Sequence, residues 1–151
     1  MRRGTVAIFV PNAGCTHRCS FCDQSAITSV NTLPTAESVE EMLSGITGEG
    51  FEIAFFGGSF TAVPRAYMLK LLSAAQPFLD GNKFTRIRIS TRPDAIDDEV
   101  LEILKTYRVG VIELGAQSTD KEVLKANLRG HTAYDILRSA EKIKQAGFEL
   151  G

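Results

Sequence analysis

No run of apolar residues in this 151-residue chain reaches the roughly 18 that a membrane-spanning helix needs. The opening Met1-Arg2-Arg3 leads into a short strand-like stretch rather than the apolar middle of a secretion signal, so a cytoplasmic location is expected. An excess of charge is also missing. With a net charge of −1, no broad electrostatic grip on nucleic acid or on an acidic membrane surface is implied, and Arg2, Arg3, Arg86, Arg88 and Arg92 are too scattered to form a basic face. Low-complexity tracts, long linkers and short repeats are lacking. At 44% hydrophobic and 23% charged residues the composition is that of one ordinary globular domain, which excludes disorder, collagen and coiled coil.

Cysteine is scarce too, and its distribution is informative. Three residues, an odd number, fall within eight positions at Cys15, Cys19 and Cys22. A disulfide framework calls for an even set spread along the chain, so the cluster points to reduced thiolates that hold a metal centre. Intervals of three and two residues let one loop wrap a face of a polynuclear centre. Three thiolates on a 4Fe-4S cube leave one iron open to an outside ligand. A zinc ion held by the same cysteines with His17, Asp23 or His131 as fourth ligand is the rival. Three incidental core cysteines fit less well, because Asn12, Thr16, His17, Arg18 and Ser20 make the loop polar.

The apolar pattern alternates between short β-branched or aromatic runs and longer helical stripes. Strands are expected at Thr5 to Val10, Phe51 to Phe56, Arg86 to Thr91, Val109 to Leu114 and Phe148 to Gly151. A helix capped by Thr35 should bury Val39, Met42, Leu43 and Ile46. A second, entered at Pro64, should bury Met68, Leu71, Leu72, Ala75, Phe78 and Leu79, and a third, after Asp97, should bury Val100, Leu101 and Leu104. Thr119 with Glu122 and Thr132 with Asp135 read as two capped helices broken around Gly130, the second ending at Gly147.

Such alternation implies a parallel sheet, in a barrel or an open doubly wound form. Segments entering the strands are bland, whereas those leaving them are chemically loaded, which places function at the carboxyl rim as in barrel enzymes. Eight βα units take about 250 residues, roughly 31 each, so this chain supplies fewer than five. The expectation is an α/β fold: a partial (βα) barrel truncated after about four and a half units, with residues 1–151 as the amino-terminal part of a core domain. If Ser90 and Gln117 face the barrel interior, a period of two turns Arg86 and Arg88 inward with Ser90 and Glu113 inward with Gln117, so that Arg88 and Glu113 can pair. The alternative turns Ile87, Ile89 and Leu114 inward and leaves the charges beneath helices.

The cysteine loop, with Phe21 in the aromatic place before Cys22, resembles that of the radical S-adenosylmethionine (radical SAM) enzymes. More narrowly, Ala54 to Phe60 (AFFGGSF), Ser90 to Asp94 (STRPD), Glu113 to Ser118 (ELGAQS) and Arg129 to Thr132 (RGHT) are similar to the radical SAM domain of the elongator-complex catalytic subunit and its short bacterial relatives. The resemblance covers the whole chain. It implies that Cys15, Cys19 and Cys22 bind a 4Fe-4S cluster whose fourth iron takes the amino and carboxylate groups of S-adenosylmethionine (SAM), and that Phe21 packs near the adenine. Gly57-Gly58-Ser59 stands where the family has Gly-Gly-Glu, which receives the SAM amino group; here backbone carbonyls or the Ser59 hydroxyl would take over. Gln117 resembles a ribose contact, Ser90 replaces an acidic ribose ligand of some relatives, and Arg129 resembles the partner of the SAM carboxylate, to which a guanidinium can bind through two bonds.

Taken without the resemblance, the glycines are a tight turn or a phosphate-binding nest, Gln117 is a loop amide and Arg129 a solvated residue at a helix junction. His17 is a donor behind the cluster or a solvated loop residue, and His131 helps to start the last helix. The implied activity is reductive SAM cleavage to a 5′-deoxyadenosyl radical, fed by a reductant such as ferredoxin or flavodoxin. A tRNA substrate is implied by the elongator likeness, although its acetyltransferase domain and RNA-binding surfaces have no counterpart in these residues. Alternatives are a radical SAM enzyme acting on a tetrapyrrole or sulfur-insertion substrate, and a structural zinc-binding module.

Overall fold

The computed structural model describes residues 4–10, 33–115 and 132–151. Its elements alternate as β1 (Thr5–Val10), α1 (Ala36–Ser44), β2 (Phe51–Gly57), α2 (Arg65–Ala75), β3 (Phe84–Thr91), α3 (Asp98–Thr106), β4 (Val109–Leu114), α4 (Ala133–Gln145) and β5 (Glu149–Leu150). The five strands are all parallel and lie side by side in chain order. Right-handed crossovers between consecutive parallel strands that always advance in one direction put every helix on the same face. The other face is left to line the inside of a barrel arc.

The helix face is the core. Ile8, Val10, Ile53, Phe55, Ile87, Ile89 and Ile112 alternate along four strands and meet Val39, Leu43, Met68, Leu71, Leu72 and Leu104 from the helices. Phe55 stacks on Phe60 of the short 3₁₀ turn Phe60–Ala62, with ring centroids 4.8 Å apart. That turn therefore seals the carboxyl end of the core. Ile87 and Ile89 lie under the helices, so Arg86 and Arg88, which alternate with them, point inward, as strand periodicity requires.

Helix starts follow the expected chemistry. Thr35 and Ser38 form a capping box at α1, Thr132 and Asp135 one at α4, and the Asp97 carboxylate accepts from the Val100 N–H at 2.8 Å to open α3. Boundaries shift modestly: β2 runs on to Gly57, β3 begins at Phe84, and β5 covers Glu149–Leu150, with Gly151 still bonded through its backbone to Ile112 and Leu114. Met42 is not buried; Val39 and Leu43 fill the contact with the core, and Met42 lies on the flank at 44% exposure. The helix entered at Pro64 stops at Ala75, because Pro77 lacks the N–H needed to continue it, and Gln76–Asp80 continues as 3₁₀ with Phe78 and Leu79 only half-buried. The helix expected after Thr119 lies outside the described residues.

Two irregularities hold the amino ends of the strands. Arg108 takes a φ of 60°, and its guanidinium is fixed by Asp80 and by the Gln76 side chain and carbonyl. In β4 the register against β3 shifts by one residue, so that Ile87 pairs with Val109 and Arg88 with Val111. Gly110 is the extra residue, and a Cβ there would lie 3.1 Å from Cδ of Arg86.

Burial predicts how stability is distributed. Leu72→Ala, at a site with no exposed surface, is expected to lower the unfolding free energy by about 3 kcal/mol, whereas Met42→Ala should change it by less than about 0.5 kcal/mol. Urea denaturation followed by circular dichroism measures both; equal losses would contradict the core assignment.

Candidate functional site

The carboxyl ends of β1 to β4 form one continuous rim. Val10 pairs with Gly57 and Thr91 with Leu114 in register, and the chain leaving β2 turns back at once, the Gly58 N–H donating to the Val10 carbonyl at 2.9 Å. Gly57 has a φ of +110°, and a Cβ on it would lie 3.1 Å from the Val10 oxygen. Conformation and space both demand glycine there.

Ser59, just past the turn, is buried at 2% exposure. Its hydroxyl lies 2.8 Å from that of Thr91 and accepts the Arg92 N–H at 3.1 Å. Thr61 reaches the same Thr91 hydroxyl at 2.5 Å and donates to the Ala95 carbonyl at 2.7 Å. Beyond β3, Arg92 grips the Asp94 carboxylate with a two-bond fork of 3.0 and 2.8 Å, and the Ser139 hydroxyl of α4 donates to the Pro93 carbonyl. The loops leaving β2 and β3 are thus tied to each other and to α4.

Below the rim, the inward face carries a ladder of charges. Glu52 of β2, at 3% exposure, binds Arg86 through one oxygen at 2.5 Å and Arg88 through the other at 3.0 Å. Arg86 continues to Glu149 of β5 and Arg88 to Glu113 of β4, each at 2.5 Å. The Arg88–Glu113 pair expected from strand periodicity is present, and the ladder extends further, over four strands. Burial pushes the Glu52 carboxyl up, but the hydrogen bond from Arg86 and the charge of Arg88 outweigh it and hold the group below its ordinary value of 4.5. Hydrogen bonds to Glu149 and Glu113 likewise raise Arg86 and Arg88, respectively, against the effect of burial.

Of the residues singled out in the sequence, Gly57, Gly58 and Ser59 sit together at the rim. Ser90 faces inward with the arginines, half-buried and without a side-chain hydrogen bond among the described residues. Cys15, Cys19, Cys22, Phe21, Gln117 and Arg129, with His17, Asp23 and His131, lie outside the described residues. The segment with the cysteines follows directly on the carboxyl end of β1, and Gln117 comes two residues after Gly115, whose N–H donates to the Thr91 carbonyl at 2.9 Å. Thr61, Thr91, Glu52 and Glu149 were not foreseen. Glu52 had a signal, since an acid at the start of an apolar strand needs a cation on a neighbour, but the register that supplies Arg86 comes only from the fold.

Comparison with known proteins agrees with this architecture. A family model described as the radical SAM superfamily matches residues 9–150. The chain is 30% identical over 138 residues to the heme chaperone HemW of Lactococcus lactis, covering 89% of this chain and 36% of that protein. It is 26% identical over 130 residues to elongator complex protein 3 of Schizosaccharomyces pombe, covering 74% and 24%. In three dimensions it resembles Elp3 of Methanocaldococcus infernus, with a TM-score of 0.68 at 19% identity over 99% of this chain and 37% of that one. The chain therefore spans well under half the length of these proteins. Among the described residues, no helix is long and apolar enough to cross a membrane.

The ladder sets a pH dependence. Because the folded state holds Glu52 below its ordinary value, its ionised form adds stability that is complete above about pH 4.5 and is lost as pH falls through the folded-state value. Glu52→Gln should cost about 2 kcal/mol at pH 7, less than breaking a fully buried pair, since each arginine is about a quarter exposed and keeps a second carboxylate. Thermal melts of both proteins from pH 7 to pH 3 should show the gap in Tm narrowing below pH 4.5. A gap that stays constant would refute the ionised ladder.

Proposed function

The chain belongs to the radical SAM superfamily, and from that membership we propose that it binds a 4Fe-4S cluster and SAM at the carboxyl rim of its strands and cleaves SAM reductively. The observation that carries this reading is the shared rim of β1 to β4, with the glycine turn at the end of β2 and Ser90 near the end of β3; in chain order the segment with Cys15, Cys19 and Cys22 follows β1 and Gln117 follows β4. The donor set fits the group. Three thiolates satisfy three irons of a cube and leave the fourth for SAM, and a turn that has no side chain at Gly57 and Gly58 lets the main chain come close to a ligand.

A cluster held by Cys15, Cys19 and Cys22 would supply the one-electron reducing chemistry that splits SAM into methionine and a 5′-deoxyadenosyl radical. The chain's own work is to bind and orient. Main-chain acceptors at Gly57 and Gly58 would take the SAM amino group, and the Arg129 guanidinium would take its carboxylate. The Ser90 hydroxyl and the Gln117 amide serve the ribose, and Phe21 packs against the adenine. A ferredoxin- or flavodoxin-like protein in the same compartment, expected to be the cytoplasm, supplies the electron.

For the substrate, likeness to elongator complex protein 3 supports a tRNA base. A second reading, a tetrapyrrole, is favoured by the heme chaperone relatives, one of which matches at 30% identity over 89% of the chain. Titration with heme and with tRNA separates them: a Soret shift at stoichiometric heme supports the tetrapyrrole, and saturable binding of tRNA the base.

Anaerobic reconstitution with iron and sulfide, followed by EPR of the reduced protein, tests the cofactor assignment. A 4Fe-4S signal that changes on addition of SAM is expected, together with loss of cluster in Cys15→Ser, Cys19→Ser and Cys22→Ser. Stoichiometric zinc with no cluster would overturn it in favour of a structural metal module.

A further inference from the structure

The hydroxyl groups behind the glycine turn can be assigned proton by proton. The Ala95 carbonyl only accepts, so Thr61, 2.7 Å away, must use its one proton there. Thr61 then has none to offer Thr91 at 2.5 Å, and Thr91 must donate to it. With its own proton committed, Thr91 can only accept from Ser59 at 2.8 Å. Ser59 donates to Thr91 and accepts the Arg92 N–H at 3.1 Å. The chain of bonds runs one way, from the Arg92 amide through Ser59, Thr91 and Thr61 to the Ala95 carbonyl. Each of the three hydroxyls donates once, and Ser59 and Thr91, at 2% exposure, are sealed from solvent.

Both ends of the chain lie on the 92–95 segment that leaves β3, whereas Ser59 and Thr61 lie on the segment that leaves β2. Segment 92–95 is itself closed by a turn, the Ala95 N–H donating to the Arg92 carbonyl at 3.1 Å. The hydroxyls thus stitch the residues after Gly57-Gly58 to both ends of that turn. Bonds of this kind polarise one another in a dry setting, and a break at the middle member leaves a buried donor or acceptor on either side.

We infer that Thr91, with Ser59 and Thr61, positions the Gly57-Gly58 turn, and that the Ser59 hydroxyl serves this relay and makes no contact with SAM. The inference rests on the proposed SAM site at the rim, which it deepens. Ser59 stands where an acidic side chain could have met the SAM amino group directly. Here the hydroxyl is 2% exposed, with its proton spent on Thr91 and its oxygen accepting the Arg92 N–H, and its role is to set where the turn's main chain lies.

The test compares Ser59→Ala, Thr91→Val and Thr91→Ser with the unaltered chain. Two readouts are used: SAM affinity, from titration of the cluster EPR signal, and amide hydrogen exchange of residues 57–62 and 92–96 without SAM. Ser59→Ala and Thr91→Val should each weaken SAM binding about tenfold, the loss expected from one broken buried hydrogen bond. Their double variant should be scarcely worse than either, and exchange in both segments should rise together. Thr91→Ser, which keeps the hydroxyl, should restore affinity and protection. The inference is overturned if Ser59→Ala weakens SAM binding while Thr91→Val does not, because Ser59 would then touch the ligand. If the unaltered chain binds no SAM, the proposed function fails instead, and the relay is decided by exchange alone: linked rises in the two segments uphold it and unchanged protection refutes it. Should Thr91→Val not fold, Thr61→Val breaks the same chain one member further on and is read by the same criteria.

Discussion

A carboxylate at 3% exposure stays charged only if its partners replace the water it has lost, and Glu52 meets that requirement by using both oxygens on two arginines of the next strand. The pairing works in one register alone. Sliding β3 by one residue along β2 would turn Arg86 and Arg88 into the core and Ile87 and Ile89 out of it, a loss on both faces at once. Because the arginines also reach Glu149 on β5 and Glu113 on β4, the same constraint passes from β2 through β3 to the two strands beyond. Level rims follow from fixed register. The ends at Gly57, Thr91 and Leu114 lie where they do because charges several residues earlier allow no other alignment.

That rim is held by short polar ties rather than by bulk. Phe60 stacks on Phe55 and closes the core beneath it, and above that lid hydroxyls join the two segments, the Arg92–Asp94 fork braces the second within itself, and the Ser139 bond ties it to α4. Rigid loops suit a family whose protein part chiefly orients its reactants. The glycine turn is then a ledge backed by the hydroxyls of Ser59, Thr61 and Thr91.

Much of this was legible in the residues. Periodicity located the strands, the caps at Thr35, Asp97 and Thr132 located the helices, and the contrast between bland and loaded loops located the rim. Period two along β3 and β4 even predicted the Arg88–Glu113 pair. What escaped depended on partners distant in sequence. Glu52 and Arg86 are 34 residues apart and meet only through strand register, and Thr61 and Thr91, 30 apart, look like ordinary loop threonines until the fold brings their hydroxyls together. Met42 was misplaced because a stripe of apolar residues gives a helix's direction but not the width of the surface it meets.

Gly110 shows how far the ladder reaches. Its backbone is not in the left-handed region, so conformation alone would permit other residues; what it lacks is room, since a methyl group would press on the aliphatic stem of Arg86. It is a glycine selected by volume. Enlarging it would ask Arg86, one strand away, to give by a few tenths of an ångström, so the strain would fall on the arginine that joins Glu52 to Glu149 rather than on the backbone of β4.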